Sequence, residues 1–349
     1  MSVPNFSSST TADEVATAFS NEIKGKNGEY YIPQPRVIGL MMNSLNHRYL
    51  AQRDRVRGGP DYFEVCEPCY HHGYNSERLE LSEAAIKKDV PSANIRPLLL
   101  DLSSLAAVRK AAVEFNAYLE PLHVLIHNAV APAGPFKLTI DNLESQMATN
   151  HIGPFLLTKL LAPKLLAAGS ETYTPRVIFV SSIAQASGTG VNFSTLAHPA
   201  AEKYNSFDAY FQAKTANVLA AIELSKRAKG RLNAYSLHPG LIYTNIYQKE
   251  EVIADLQVAG LLDSDGKPNP QMPWKTMAQG AATTVAAAFD PRLDGESSPF
   301  NMRSAYTPGA FLSDCVEANK DLATHSSDPG NAEKLWTVTE DIIGENFVF

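Results

Sequence analysis

From Asn94 onward the chain alternates short apolar runs with longer helical stretches, and this rhythm constrains the fold more than any other feature of its 349 residues. An apolar run over 95–100 ends in Asp101 and precedes a helical stretch from Ser104; a second run over 122–126 ends in His127-Asn128. A helix over 141–168, a strand over 176–180, a helix over 207–228 and a strand over 233–237 continue the series. Short apolar runs bounded by polar residues read as strands buried on both faces, and the helical stretches between them as crossovers. The expected fold class is therefore α/β, a doubly wound parallel sheet whose ligands sit in the crevice beyond the carboxyl ends of the strands.

The flanks are less regular. Residues 1–10 are rich in Ser and Thr, and Thr11 to Glu14 then makes a capping-box pattern ahead of a short helix to about residue 23. After Thr244 the pattern weakens, and 247–273, with Gly266, Pro268 and Pro270, reads as a loop or lid before helices over 276–289 and from 332. This gives an extension (1–26), a binding and catalytic domain (27–246), and a lid with helices of that same domain (247–349). With 44% hydrophobic residues the chain can bury one full core.

Composition narrows the function. A formal charge of -7 without any basic run argues against nucleic acid as a partner, since phosphates are neutralised by Lys and Arg. The apolar stretch 156–166 is interrupted by Lys159 and Lys164 and falls short of the roughly 18 residues that a membrane span needs. The opening residues resemble no secretory or transit signal, and three cysteines suit a reducing compartment, so the expectation is a cytoplasmic protein. Cys66-x-x-Cys69 with His71 and His72 would have to wrap one ion within seven consecutive residues, whereas structural zinc sites join two ligand pairs across a loop; no metal is expected.

Two side chains invite chemistry. Tyr210 and Lys214 stand four apart on a helical segment and so share one face. A phenol with a pKa of about 10 is a poor acid or base at neutral pH, but a neighbouring cation favours phenolate and moves it toward the working range. Ser182 ends the strand Val177-Ile-Phe-Val-Ser-Ser, where its hydroxyl can bond the same substrate oxygen; Ser181 is the weaker candidate. On their own these residues also fit an exposed aromatic with a snorkelling lysine.

Together with Asn128-Ala129, Asn150 and His238-Pro239-Gly240, in this order, they resemble the landmarks of the short-chain dehydrogenase/reductase family. The 28-residue step from Ser182 to Tyr210 is similar to that of retinol-dehydrogenase-like and WW-domain-oxidoreductase-like members. Gln279-Gly-Ala-Ala-Thr-Thr-Val, Gly309-Ala-Phe-Leu-Ser-Asp-Cys315 and Glu333-Lys-Leu-Trp-Thr-Val-Thr-Glu resemble fungal members of that subgroup, and the likeness covers 11–26 and 73–349. The resemblance implies a single Rossmann-like domain with a C-terminal substrate lid. It implies an oxidoreductase that moves a hydride between NAD(P) and a small-molecule alcohol or ketone, of lipophilic character. Tyr210 would be the acid/base, Lys214 its cationic support, Ser182 the group orienting the substrate oxygen, and Asn150 a member of a proton relay. NADP is the expected cofactor, with NAD the alternative, held by Gly39, Asn43, Leu45 and Asn46 in a glycine turn, by Asp101 at the adenine end, and by Leu102, Asn128, Ala129, Pro239, Gly240 and Thr244. Family members also dimerise through the long helices, so a homodimer is admitted.

Residues 27–72 depart from this pattern. Where the first strand and glycine-rich turn belong, Pro35 to Asn46 supplies only Gly39, and Asn46 stands at the closing glycine position, where a side chain crowds a bound pyrophosphate. Val130 replaces the glycine that follows Asn128-Ala129, and Gly73-Tyr74 offers neither the acidic residue that selects NAD nor the arginine that accepts the NADP phosphate. The alternative reading is a catalytically silent family member acting as a binding or scaffold protein.

Overall fold

The computed structural model describes residues 4–19, 39–41, 69–73, 75–89, 95–131, 133–171, 173–244, 247, 250–293 and 307–349. In chain order its main elements are α1 (Ala12–Ala18), β1 (Gly39–Met41), β2 (Cys69–Gly73), α2 (Ser76–Asp89), β3 (Ile95–Leu99), α3 (Leu105–Asn116), β4 (Val124–His127), α4 (Gly153–Ala167), β5 (Arg176–Val180), α5 (Ser206–Ala228), β6 (Asn233–His238), β7 (Leu241–Ile242), α6 (Glu250–Val258), β8 (Trp274–Lys275), α7 (Met277–Phe289), β9 (Phe311–Ser313), β10 (Val316–Glu317) and α8 (Pro329–Ile343).

Among the described residues, eight strands form one sheet in the order β10-β9-β6-β5-β4-β1-β2-β3. Every neighbouring pair is parallel except β9 and β10. The chain runs outward from β1 to β3 and then returns to lay β4 against the other side of β1, so the order reverses between β1 and β4. A crevice opens at such a switch point, outside the carboxyl ends of the strands.

Alternation along each strand divides the core. Val124, Ile126, Ile178, Val180, Tyr235 and Leu237 point to one face and pack with α1 and α7. Leu125, Val177, Phe179 and Ala234 point to the other and pack with α3, α4, α5 and α8. Both faces of β4 and β5 are therefore covered, which is why these strands read as continuous apolar runs.

The capping box at Thr11 and Glu14 is formed, and a second one, Thr276 with Gln279, starts α7. The helix expected over 141–168 is broken instead. Asn142 takes a left-handed φ of 58°, which no helix interior tolerates, so helical structure begins only at Ser145–Met147 and passes through a wide π turn at Ala148–Ile152 before α4. The expected lid over 247–273 contains a helix, α6. Beyond it, β9 extends the sheet along β6 and turns into β10 through Asp314 and Cys315, at φ 51° and 66°. Three residues are too few to show a strand period in sequence.

Helix α8 starts at Pro329 behind an Asp328 cap, three residues before the expected 332, and ends at Gly344 with φ 72°. It lies across α4 and α5. Trp336 meets Phe155 edge-on at 4.7 Å and stacks on Phe347 at 4.9 Å, the Arg227 guanidinium sits 4.9 Å above the Trp336 ring, and Glu345 bonds both Arg109 and Lys159. No described helix is long and apolar enough to cross a membrane.

Candidate active site

Strand β5 delivers the two serines to the rim of the sheet. Ser181 is buried, and its hydroxyl donates to the Lys214 carbonyl at 2.7 Å, so it ties β5 to α5. Ser182 is only half-buried and begins a 3-10 turn at Ile183–Ala186, its hydroxyl accepting the Ala184 N–H at 3.2 Å. On α5, whose first turn is capped by Asn205, Tyr210 and Lys214 sit one turn apart with the ammonium 5.6 Å from the phenol ring centre. The Ser182 hydroxyl stands on the Tyr210 side of the site, where it favours the ionised phenol. The structure brings together the three residues that the sequence singled out, at the carboxyl end of β5.

Their electrostatics differ from expectation. Lys214 is 2% exposed and donates to the Val180 carbonyl at 2.9 Å, a carbonyl that Asn217 also reaches at 3.3 Å. Burial draws the Lys214 ammonium down to about 8 and pushes the Tyr210 phenol up to about 12, against the opposing influence of the Ser182 hydroxyl and with a further push from Tyr247. The cation was expected to pull the phenol down; here the ammonium hydrogen-bonds the Val180 carbonyl, and desolvation dominates at Tyr210. The resting site holds a neutral phenol.

Asn150 occupies the π turn at 1% exposure, and its amide is committed to one backbone unit: Oδ1 accepts the Ala131 N–H at 2.7 Å and Nδ2 donates to the Ala131 carbonyl at 3.0 Å. Its side chain fastens the loop after β4 rather than reaching Lys214. That loop carries Asn128 and Ala129, which leave the carboxyl end of β4 one strand away from Ser182.

The other expected cofactor contacts fall unequally. Asp101 follows β3, and its Oδ1 accepts both the Ser103 N–H at 2.9 Å and the Ser103 hydroxyl at 2.6 Å. The cap of α3 is Ser104, joined by Asp141 from a distant loop, which accepts the Leu105 N–H at 2.8 Å and had no signal in the local sequence. Leu102 is 3% exposed and its side chain belongs to the core, so only its backbone reaches the rim; a Cβ on Gly153 would lie 2.2 Å from its carbonyl oxygen. Pro239 and Gly240 follow β6, where Gly240 has a φ of 93° and a Cβ would stand 2.5 Å from Lys275 Cδ. Thr244 accepts the Tyr247 N–H at 3.0 Å through its carbonyl. Gly39 lies inside β1, opposite Val124, instead of after the strand, because Leu40 and Met41 continue the ladder. A phosphate turn can begin only beyond Met41; Asn43, Leu45 and Asn46 lie outside the described residues, as does Cys66.

Tyr247 was read only as the start of a lid. It contacts Tyr243 at 5.7 Å and Trp274 at 5.4 Å, Tyr243 and Trp274 being 6.2 Å apart, which makes an aromatic wall beside Tyr210. Two tyrosines four apart directly after Pro239-Gly240 were the available signal. Around the switch point, small or polar residues from three strand ends (Asp101, Asn128-Ala129 and Pro239-Gly240) line one rim, a lining of small side chains, an amide and a carboxylate that fits a dinucleotide.

The short chain dehydrogenase family profile matches residues 69–252, beginning at β2 and so leaving 27–68 outside, where the sequence departs from the family. The chain is 36% identical over 253 residues to the chloroplastic short-chain dehydrogenase TIC 32 B of Brassica napus, covering 70% of this chain and 76% of that protein. It is 30% identical over 266 residues to mouse (Mus musculus) retinol dehydrogenase 12, covering 76% and 75%. The crystal structure of an uncharacterized protein from Mycobacterium Paratuberculosis shares the fold, with a TM-score of 0.59 at 24% identity over 90% of this chain and 95% of that one. The profile match runs from β2 into α6 and spans Ser182, Tyr210 and Lys214, and with these relatives it makes the chain a member of the short-chain dehydrogenase family, in its retinol-dehydrogenase-like subgroup, and an NAD(P)-dependent dehydrogenase/reductase.

Proposed function

We propose that this enzyme interconverts a lipophilic ketone or aldehyde and its alcohol, with NADP as cofactor and NAD as the weaker alternative. The observation that carries this reading is the convergence of Ser182, Tyr210 and Lys214 at the carboxyl rim. The nicotinamide, when bound along that rim by Asp101, Asn128, Ala129, Pro239, Gly240 and Thr244, supplies or accepts the hydride. The protein handles the proton. A substrate oxygen set between the Ser182 and Tyr210 hydroxyls accepts a hydrogen bond from each, and the neutral phenol is in the protonation state that reduction requires. As the phenol releases its proton, the Lys214 ammonium one turn away offsets the developing phenolate charge.

The wall of Tyr243, Tyr247 and Trp274 supports an apolar substrate body, which would pack there and displace water from the hydroxyl pair. NADP is favoured because β2 ends on Gly73 and the following Tyr74-Asn75 holds no carboxylate to repel a 2′-phosphate. Cys315 is free and buried, which suits a reducing compartment that we take to be the cytoplasm. Fluorescence titration with NADPH and NADH, followed by turnover of aryl and aliphatic ketones, tests the reading; binding of neither nucleotide would instead support the silent scaffold that Val130 and Asn46 suggest.

A further inference from the structure

Gln185 lies three residues after Ser182, on the turn that Ser182 begins, and it is fully buried. Its backbone N–H donates to the Ser182 carbonyl at 3.2 Å. Its side chain spans a junction between parts of the chain far apart in sequence: Nε2 donates to the Asp321 carbonyl at 2.8 Å, and Oε1 accepts the Ala323 N–H at 3.3 Å. Its own carbonyl collects three more donors, the Ser326 hydroxyl at 2.8 Å, His325 Nε2 at 2.9 Å and the Thr215 hydroxyl at 3.3 Å. Thr215 and Ser326 are as buried as Gln185, and Thr215 is the residue after Lys214 on α5.

A buried amide whose side-chain oxygen and nitrogen are both bonded holds its surroundings in one arrangement, since a shift leaves a desolvated donor or acceptor unpaired. The groups meeting here are the turn that carries the Ser182 hydroxyl, the helix turn that carries Lys214, and the segment 321–326. We propose that Gln185 is a positioning residue of the proton-transfer site, a strut from segment 321–326 that fixes the Ser182 hydroxyl relative to Tyr210 and Lys214. The proposal rests on the activity proposed above. Gln185 touches no reacting atom, so its effect on turnover passes through Ser182.

That route is what the test isolates. Gln185→Met keeps length and removes both side-chain hydrogen bonds. In the wild-type background it should lower kcat roughly 10- to 100-fold with an unchanged NADPH dissociation constant, whereas in a Ser182→Ala background it should cost less than about threefold, because no hydroxyl is left to position. Equal losses in both backgrounds, or no loss in either, overturn the proposal. Should Gln185→Met not fold, Ser326→Ala removes a single bond to the Gln185 carbonyl and should show a smaller loss with the same dependence on Ser182. Hydrogen exchange of a peptide over 182–186 adds a readout independent of turnover: exchange should quicken about tenfold in Gln185→Met or Ser326→Ala, and unchanged protection overturns the strut. A wild-type enzyme that binds NADPH but reduces no carbonyl would sink the proposed activity while the exchange measurement still decides the role of Gln185.

Discussion

The Lys214 ammonium donates a 2.9 Å hydrogen bond to the Val180 carbonyl, and that bond sets the resting state of the site. It anchors the cation to the end of β5, one turn from the phenol, so that the charge acts on Tyr210 through space while the phenol hydroxyl stays beside Ser182.

Tyr210→Phe removes that hydroxyl and almost no volume. Turnover should fall by about 10³-fold or more, while NADPH binding and the melting temperature stay close to wild type. Steady-state kinetics beside a thermal melt check this, and near-normal turnover would exclude Tyr210 from the mechanism.

Lys214 sits at about 8, so its positive charge is present below that pH and lost above it. Carbonyl reduction by the wild-type enzyme should therefore decline as pH rises past about 8. Lys214→Met should be slower by about 100-fold at neutral pH and should lack that limb, since no proton is left to lose. A pH profile of the same shape in both proteins would remove Lys214 from the proton-transfer step.

His127 and His151 are buried against threonines in the same way. The Thr158 hydroxyl donates to the Pro154 carbonyl and the Thr339 hydroxyl to the Leu335 carbonyl, so each accepts from a histidine Nε2–H, at 2.7 Å and 3.0 Å. Burial holds both rings neutral by drawing them from 6.5 down to about 3. Below pH 6.5 the unfolded chain takes up protons that the folded chain refuses, so their contribution to stability is complete above 6.5 and lost as pH falls toward 3. Each ring adds a slope approaching about 1.4 kcal/mol per pH unit. Denaturant unfolding between pH ~5 and ~7 should show this slope, reduced by about one proton in His151→Gln; identical slopes would count against a neutral His151.

With α8 laid over α4 and α5, the chain should behave as a monomer in light scattering at micromolar concentration. Trp336→Ala, which empties the junction between Phe155, Phe347 and Arg227, should cost about 3–5 kcal/mol. A wild-type dimer mass would show that some other surface associates.

Val130 follows Asn128-Ala129 on the loop that Asn150 fastens at Ala131. Val130→Gly removes a branched side chain from that rim and should lower the NADPH dissociation constant by about 3- to 10-fold in a fluorescence titration. Unchanged or weaker binding in a folded variant would mean that Val130 does not face the cofactor.

Strands β4, β5 and β6 and helix α5 were legible in sequence because strands covered on both faces must be apolar throughout, and because Tyr210 and Lys214 share a helix face by spacing alone. What escaped was set by contacts remote in sequence or by backbone geometry. Asn150 reads as any polar helix residue until Ala131 stands beside it, Leu102 reads as a rim residue until its side chain is found in the core, and Asn142 gives no sign that it will interrupt a helix. Gly39 was taken for the start of a turn because its neighbours beyond Met41 resemble one, whereas ladder pairing with Val124 keeps it in the strand.

The two backbone groups that the Gln185 side chain bonds, and the Ser326 hydroxyl and His325 ring bonded to its carbonyl, lie 136 to 141 residues further along the chain. Contacts so distant are slow to form, and synthesis presents the N-terminal part first. A nascent chain that has completed β6 already owns Ser182, Tyr210 and Lys214, but the turn carrying Ser182 has the Thr215 bond and lacks the four bonds that residues 321–326 add once they have been made. Catalytic competence should thus appear late during synthesis, as a separate event after the sheet has formed.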